Sequence, residues 1–138
     1  MSQENVEIVR RWFDVWTTSD WTAFERMHDP FVVVIPPEDW PDGEVSIGRD
    51  AWIRQSIRLK ESWETDRGEL DELHEAGSHV IAETRWVTKG KDSGIEFETA
   101  LYAVFTLLKG TVTRIEWFLD RAQALEAVGL SEQDVSSA

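Results

Sequence analysis

The sequence predicts an α+β domain in which a curved antiparallel sheet forms a cone wrapped around three helices, with a short helix at the C-terminus. Three observations predict it. Apolar residues recur at three/four spacing along the first half of the chain, a proline-rich break interrupts that half, and the second half alternates apolar and polar residues with a period of two.

The first helix buries a stripe of Val6, Val9, Trp12, Phe13 and Trp16, and Thr17-Thr18-Ser19-Asp20 ends it. A short second helix over 21–27 takes Ser19 or Asp20 as its cap. Asp29-Pro30 stops that helix before a strand over 31–35, because the residue before proline is pushed out of the helical region. Pro36-Pro37-Glu38-Asp39-Trp40-Pro41-Asp42-Gly43 is too rich in proline for regular structure and reads as a lid. Gly48 precedes a third helix over 49–65, amphipathic through Trp52, Ile53, Ile57, Leu59 and Trp63. Strands over 68–75, 79–89, 95–109 and 111–119 follow, separated by Ala76-Gly77-Ser78, Gly90-Lys91-Asp92-Ser93-Gly94 and Lys109-Gly110. Asp120 to Gln123 has the form of a capping box opening the last helix, which Gly129 closes. Residues 1–130 make a single domain, and 131–138 form a polar tail.

The alternation decides which side chains face inward. One face of the third meander strand carries Ile95, Phe97, Thr99, Leu101, Ala103, Phe105 and Leu107, and one face of the fourth carries Thr113, Ile115, Trp117 and Leu119. Glu98, Arg114 and Glu116 fall on the opposite face. A pocket on the apolar side would be lined by Trp12, Trp16, Ile35, Trp52, Thr84, Trp86, Thr99, Leu101, Ala103, Phe105, Ile115 and Trp117. Eight tryptophans in 138 residues suit the stacking walls of a site for a flat apolar ligand, each indole N–H offering one directional donor. The alternative is that the rings fill the cone, with Thr84, Thr99 and Thr113 as the few polar groups in either case.

Composition excludes several classes. A net charge of −13 with no basic stripe speaks against tracking a phosphate backbone. The absence of cysteine rules out disulfides and thiolate chemistry, and the three histidines are scattered without a ligand spacing, so neither a metal nor another cofactor is expected. No apolar run approaches the roughly 20 residues of a membrane span, and the N-terminal Met1-Ser2-Gln3-Glu4 lacks the features of a signal peptide, so a cytoplasmic location is expected.

The order of Glu4-Asn5-Val6, Ser19-Asp20, Asp29-Pro30, Ile47-Gly48-Arg49-Asp50-Ala51, Phe105-Thr106-Leu107-Leu108-Lys109-Gly110 and Leu119-Asp120-Arg121-Ala122-Gln123-Ala124-Leu125 resembles SnoaL-like proteins of the nuclear-transport-factor-2-like fold. The resemblance spans nearly the whole chain. It implies the cone architecture but leaves the chemistry open, because that superfamily includes polyketide cyclases, ketosteroid isomerase, dehydratases, epoxide hydrolases and members of no known activity. By the same resemblance, the isomerase's tyrosine acid falls on Trp12, its general base on Ile35 and its second oxyanion donor on Ala103, while the cyclase carboxylate falls on Trp117. Indole and alkyl groups supply neither a tuned base nor these acids, so the usual acid/base residues are absent.

The expected function is therefore binding of a small hydrophobic molecule in a Trp-lined pocket. The rival is an isomerase, cyclase or hydrolase that uses His74 or a loop carboxylate among Glu38, Asp39, Asp42 and Glu44 as base. His28 is expected to cap a helix end, His79 to be exposed, and Glu83, Arg85, Glu98, Arg114 and Glu116 to form ion pairs on the outer face. A third reading is a non-catalytic association module. Tyr102, Val104 and Phe118 form an apolar strip among outward charges, and the chain is expected to form a homodimer through that face.

Overall fold

The computed structural model describes residues 2–40 and 43–135. Helix α1 (Ser2–Thr18) ends at Ser19, whose φ of 57° turns the chain into α2 (Trp21–Met27). The Asp20 carboxylate caps α2 by accepting from the Ala23 N–H at 3.1 Å. Strand β1 (His28–Ile35) follows directly, beginning three residues before the expected strand, with Pro30 exposed inside it. A two-residue strand β2 (Ser46–Ile47), which has no alternation to announce it, pairs with β1. Helix α3 (Arg49–Glu61) is shorter than expected because the chain is extended again from Thr65. The meander is β3 (Thr65–Ala76), β4 (His79–Lys89), β5 (Glu96–Leu108) and β6 (Thr111–Phe118), closed by α4 (Arg121–Glu126). Lys109 and Gly110, both at positive φ, make the tight β5–β6 turn. Four residues of the expected tail form α5 (Glu132–Val135), and 136–138 lie outside the described residues.

The strands form one six-stranded sheet in the order β2-β1-β6-β5-β4-β3. The expectation of a wholly antiparallel sheet is corrected at one seam: β1 runs parallel to β6, and every other pair is antiparallel. Hairpin logic fixes the direction of consecutive strands only, and β1 and β6 are joined through the rest of the fold. The concave face wraps α1 to α3 around a core that includes Val9, Trp12, Phe24, Val32, Phe105 and Ile115.

Two departures from simple alternation matter. A register shift between Thr106 and Leu107 places Val112 and Ile115 both in the core, so Thr113 leaves the concave face on which it was expected and donates its hydroxyl to the Thr106 carbonyl at 3.2 Å. The apolar face of β5 also outruns the helices: Leu101 to Leu107 are buried at every second position, whereas Ile95 and Phe97 are 54% and 52% exposed.

On the convex face, Val104 and Ile81 are buried beneath Ala124 and Leu125 of α4, with Tyr102 and Phe118 packed around them. The apolar strip on which the expectation of a homodimer rested is thus largely covered by α4 of the same chain. Around it run the expected ion pairs, with changed partners: Arg85 bridges Asp71 and Glu98, Arg114 approaches Glu116 on the same strand, and Glu83 accepts from His74 and Arg121. Among the described residues no helix is long and apolar enough to cross a membrane.

Candidate functional site

A cavity of about 810 Å³ opens on the concave side, between the sheet, α1, α3 and the loop after β1. Of the residues expected to line it, Trp12, Trp16, Trp52, Thr84, Trp86, Thr99, Leu101 and Trp117 do so. Ala103, Phe105 and Ile115 do not, because they are fully buried where α1 fills the cone; the Trp12 and Phe105 rings meet there at 5.2 Å. Ile35 does not line it either. Its neighbours Val34 and Pro36 do, as adjacent strand positions point to opposite faces. The cone is thus filled at one end and open at the other.

Sequence reasoning missed Trp40 and Trp63 as wall residues, along with Gln55, Arg58, Leu59 and Ser62 on the α3 side. Seven of the eight tryptophans therefore line the cavity; Trp21 is left to pack edge-on against Phe24 outside it. Of the loop acids, Glu44 reaches the wall, Glu38 and Asp39 are not among the lining residues, and Asp42 lies outside the described residues.

Three of the seven indole N–H groups are spent inside the protein. Trp12 donates to Nε2 of His28 at 3.0 Å, and Nδ1 of His28 donates to the Phe24 carbonyl at 2.7 Å. This pair of bonds fixes the tautomer, and burial lowers the His28 pKa to about 4, so the ring is neutral. His28 does follow the end of α2 as expected, but its side chain belongs to the core.

Trp16 and Trp86 both donate to one oxygen of Asp66, at 3.0 and 2.9 Å. The other oxygen pairs with Lys60 at 2.9 Å, and the Asp66 side chain is only 4% exposed. The Lys60 ammonium also donates to the Trp16 carbonyl at 2.7 Å and lies 4.8 Å from the centre of the Trp16 ring. Lys60 and Asp66 thus hold two walls of the cavity in place without lining it. Thr84 donates to the Glu69 carbonyl at 2.6 Å, and the buried Trp52 N–H has no partner among the described residues.

His74 does not face this space. It sits on the convex face, bonded to Glu83 and 3.4 Å from Glu72, so it cannot act as a base on anything bound in the cavity. Glu72, His74 and Glu83 bring three possible metal-ligand atoms within 4.8 Å of one another, which the scattered positions in sequence had not suggested. Arg121 supplies the cation of that cluster. His79 bonds Thr106 and is partly buried rather than exposed. The cavity wall therefore offers many aromatic faces, the hydroxyl of Thr99, and the side chains of Gln55, Glu44 and Arg58. Oε1 of Gln55 is taken by the Ser46 hydroxyl. This arrangement can stack and orient a ligand; among the described lining residues only Glu44 could accept a proton from one.

Comparison with known proteins agrees with this architecture. No match was found among curated proteins. A protein with a ketosteroid isomerase-like fold from Catenulispora acidiphila, solved in complex with trimethylamine, superposes with a TM-score of 0.73 at 18% identity, covering 95% of this chain and 98% of the other. A protein assigned as a SnoaL-like polyketide cyclase from Jannaschia sp. CCS1 gives 0.74 at 20% identity, covering 92% of each chain. TerC, co-crystallised with polyporic acid, gives 0.75 at 17% identity over 91% of this chain and 97% of its own. At these identities the likeness establishes the fold. The model of the SnoaL-like domain matches residues 9–115, most of the sheet and all of the cavity's helical wall, and the chain belongs to that family.

Proposed function

We propose that the chain binds a small, flat, mostly apolar molecule in the tryptophan-lined cavity and performs no acid–base chemistry on it. The observation that carries this reading is the concentration of seven tryptophans around one open space of about 810 Å³, a volume in the range of sites for drug-sized ligands. The indoles of Trp12 and Trp117 stand where the family resemblance puts an acid and a carboxylate, and the alkyl side chains of Ile35 and Ala103 stand where it puts the base and the second donor. Two fold relatives were solved with small organic molecules, trimethylamine in one and polyporic acid in the other, which supports a ligand-sized cavity here.

The test is quenching of tryptophan fluorescence by a panel of flat apolar compounds, with Thr99→Trp as control because the added ring fills the cavity from β5. Saturable quenching that Thr99→Trp abolishes supports the proposal, and no quenching across the panel refutes it. Isomerisation of a 3-keto-Δ5-steroid should stay at the buffer rate, since each lost oxyanion donor alone costs about 3 kcal/mol of transition-state stabilisation. Turnover abolished by Glu44→Gln would instead establish the enzymatic reading, with the loop carboxylate as base.

A further inference from the structure

We infer that the molecule bound here carries a methylated ammonium group, held between Trp40, Trp63 and Trp86 with Glu44 as its counter-charge. The inference rests on the binding role proposed above and names the ligand's chemical class. Its first support is shape. Trp63 stands at 82° to Trp86 with ring centres 5.9 Å apart, and Trp40 approaches Trp86 at 6.3 Å and 37°. Three indoles from three parts of the chain, the loop after β1, the α3–β3 connection and β4, therefore form a corner rather than a slot. A corner of non-parallel faces suits a roughly spherical cation, whereas a flat ring is better served by parallel faces. The parallel contacts lie deeper and are made between the tryptophans themselves: Trp12 on Trp16 at 9°, and Trp16 on Trp52 at 18°. Those three rings are buried, while Trp40, Trp63 and Trp86 all remain partly exposed, so their faces are open to a ligand.

The second support is electronic. The Trp86 N–H donates to the Asp66 carboxylate at 2.9 Å, so it has no hydrogen to offer a neutral acceptor, and the bond leaves the ring face richer in electrons. An indole face attracts cations by its quadrupole. The protein already uses that attraction a few residues away, where Lys60 sits 4.8 Å over Trp16, whose N–H is bonded to the same carboxylate.

The third support is charge. Glu44 lines the cavity and takes part in no ion pair among the described residues, and the whole chain carries −13, a field that concentrates cations. Arg58 also lines the cavity and opposes a cation; its removal is therefore a second arm of the test.

The experiment compares (3-hydroxyphenyl)trimethylammonium with 3-tert-butylphenol by isothermal titration calorimetry on the full chain, at a pH where both phenols are protonated. The two probes share size and shape and differ only in the charge on the quaternary centre. The cation should bind about tenfold tighter. Glu44→Gln should cut that advantage to about threefold, Arg58→Gln should widen it by a similar factor, and Trp86→Phe should reduce it while leaving the neutral phenol little changed. Equal binding of the two probes, or tighter binding of the phenol, overturns the inference and leaves the apolar-ligand reading standing. Binding of neither overturns both. A cationic advantage that survives Glu44→Gln and Trp86→Phe unchanged puts the charge elsewhere and also refutes the assignment. Glu44 is exposed and in a loop, so its variant reads the charge effect even if a tryptophan variant fails to fold.

Discussion

Replacing Asp66 with leucine should destabilise this protein more than any other loss of a single carboxylate among the described residues. The substitution leaves the Lys60 ammonium, whose side chain is 11% exposed, without its partner at 2.9 Å, and strands the Trp16 and Trp86 N–H groups. Removing one partner of a buried ion pair costs roughly 3–5 kcal/mol, and each orphaned donor adds about 1 kcal/mol before relaxation returns some of it. We expect about 4 kcal/mol, a large share of the roughly 7–20 kcal/mol that a chain of this length has in all. In urea that is a fall in the unfolding midpoint of about 2 M, read by near-ultraviolet circular dichroism, which reports the tryptophans directly. The double variant Lys60→Met, Asp66→Leu should recover at least half of the loss, because it removes the unpaired charge as well. The Trp16 carbonyl that Lys60 also serves keeps its bond from the Ser19 N–H at 3.1 Å. A midpoint shift for Asp66→Leu within about 0.5 M of zero, or a double variant no better than the single, would refute the view that this carboxylate anchors two walls of the cavity.

Acidification provides a separate check. The unfolded chain protonates His28 near pH 6.5 and the folded chain only near pH 4, so the unfolded state binds more protons between those values and stability falls as pH drops through that window. The contribution is about 3 kcal/mol, and the difference between wild type and His28→Gln in chemical denaturation from pH 6.5 to pH 4 should show it. A parallel pH dependence of the two proteins would refute it. Gly68→Ala places a Cβ 3.1 Å from the Phe13 ring, itself buried against Trp12 and Phe105, so a loss of about 1 kcal/mol is expected in the same assay, and a gain would mean that Phe13 yields freely.

The secondary structure was legible wherever a local rule governs it. The Asp20 cap and Asp29-Pro30 bracket α2, glycine turns bracket β4, and Gly110 opens β6, because each boundary is set by neighbours in sequence. The part of the pocket wall that β4, β5 and β6 contribute was legible too, since period-two alternation turns Thr84, Trp86, Thr99, Leu101 and Trp117 to one side. Alternation says nothing of depth along the strand, so it could not tell that Ala103, Phe105 and Ile115 lie where α1 plugs the cone. It also fails at the register shift beside Leu107, which turns Thr113 out of line. The largest miss was Asp66. It falls between a helix expected to run to 65 and a strand expected from 68, its ion-pair partner Lys60 stands at no regular spacing from it, and its two indole partners lie 50 and 20 residues away, so no local pattern marks it.

The donors already used constrain how a ligand of the proposed kind would lie. Trp12, Trp16 and Trp86 direct their N–H groups to His28 and Asp66, and Thr84 directs its hydroxyl to Glu69, so most of the polar groups on the walls from α1 and β4 are already used. The groups left for a ligand are the N–H groups of Trp40, Trp52, Trp63 and Trp117, which have no acceptor among the described residues, the hydroxyl of Thr99, the amide nitrogen of Gln55, and the charges of Arg58 and Glu44, the last three on α3 and the loop. A ligand of the proposed kind would therefore turn its apolar body toward the buried rings of Trp12 and Trp16 and its polar or charged end toward α3 and the loop. It follows that the two kinds of substitution should separate. Changes at His28 and Asp66 should move stability first and binding as a consequence, whereas changes at Glu44 and Arg58, both exposed, should alter which ligand is chosen and leave the unfolding midpoint where it was.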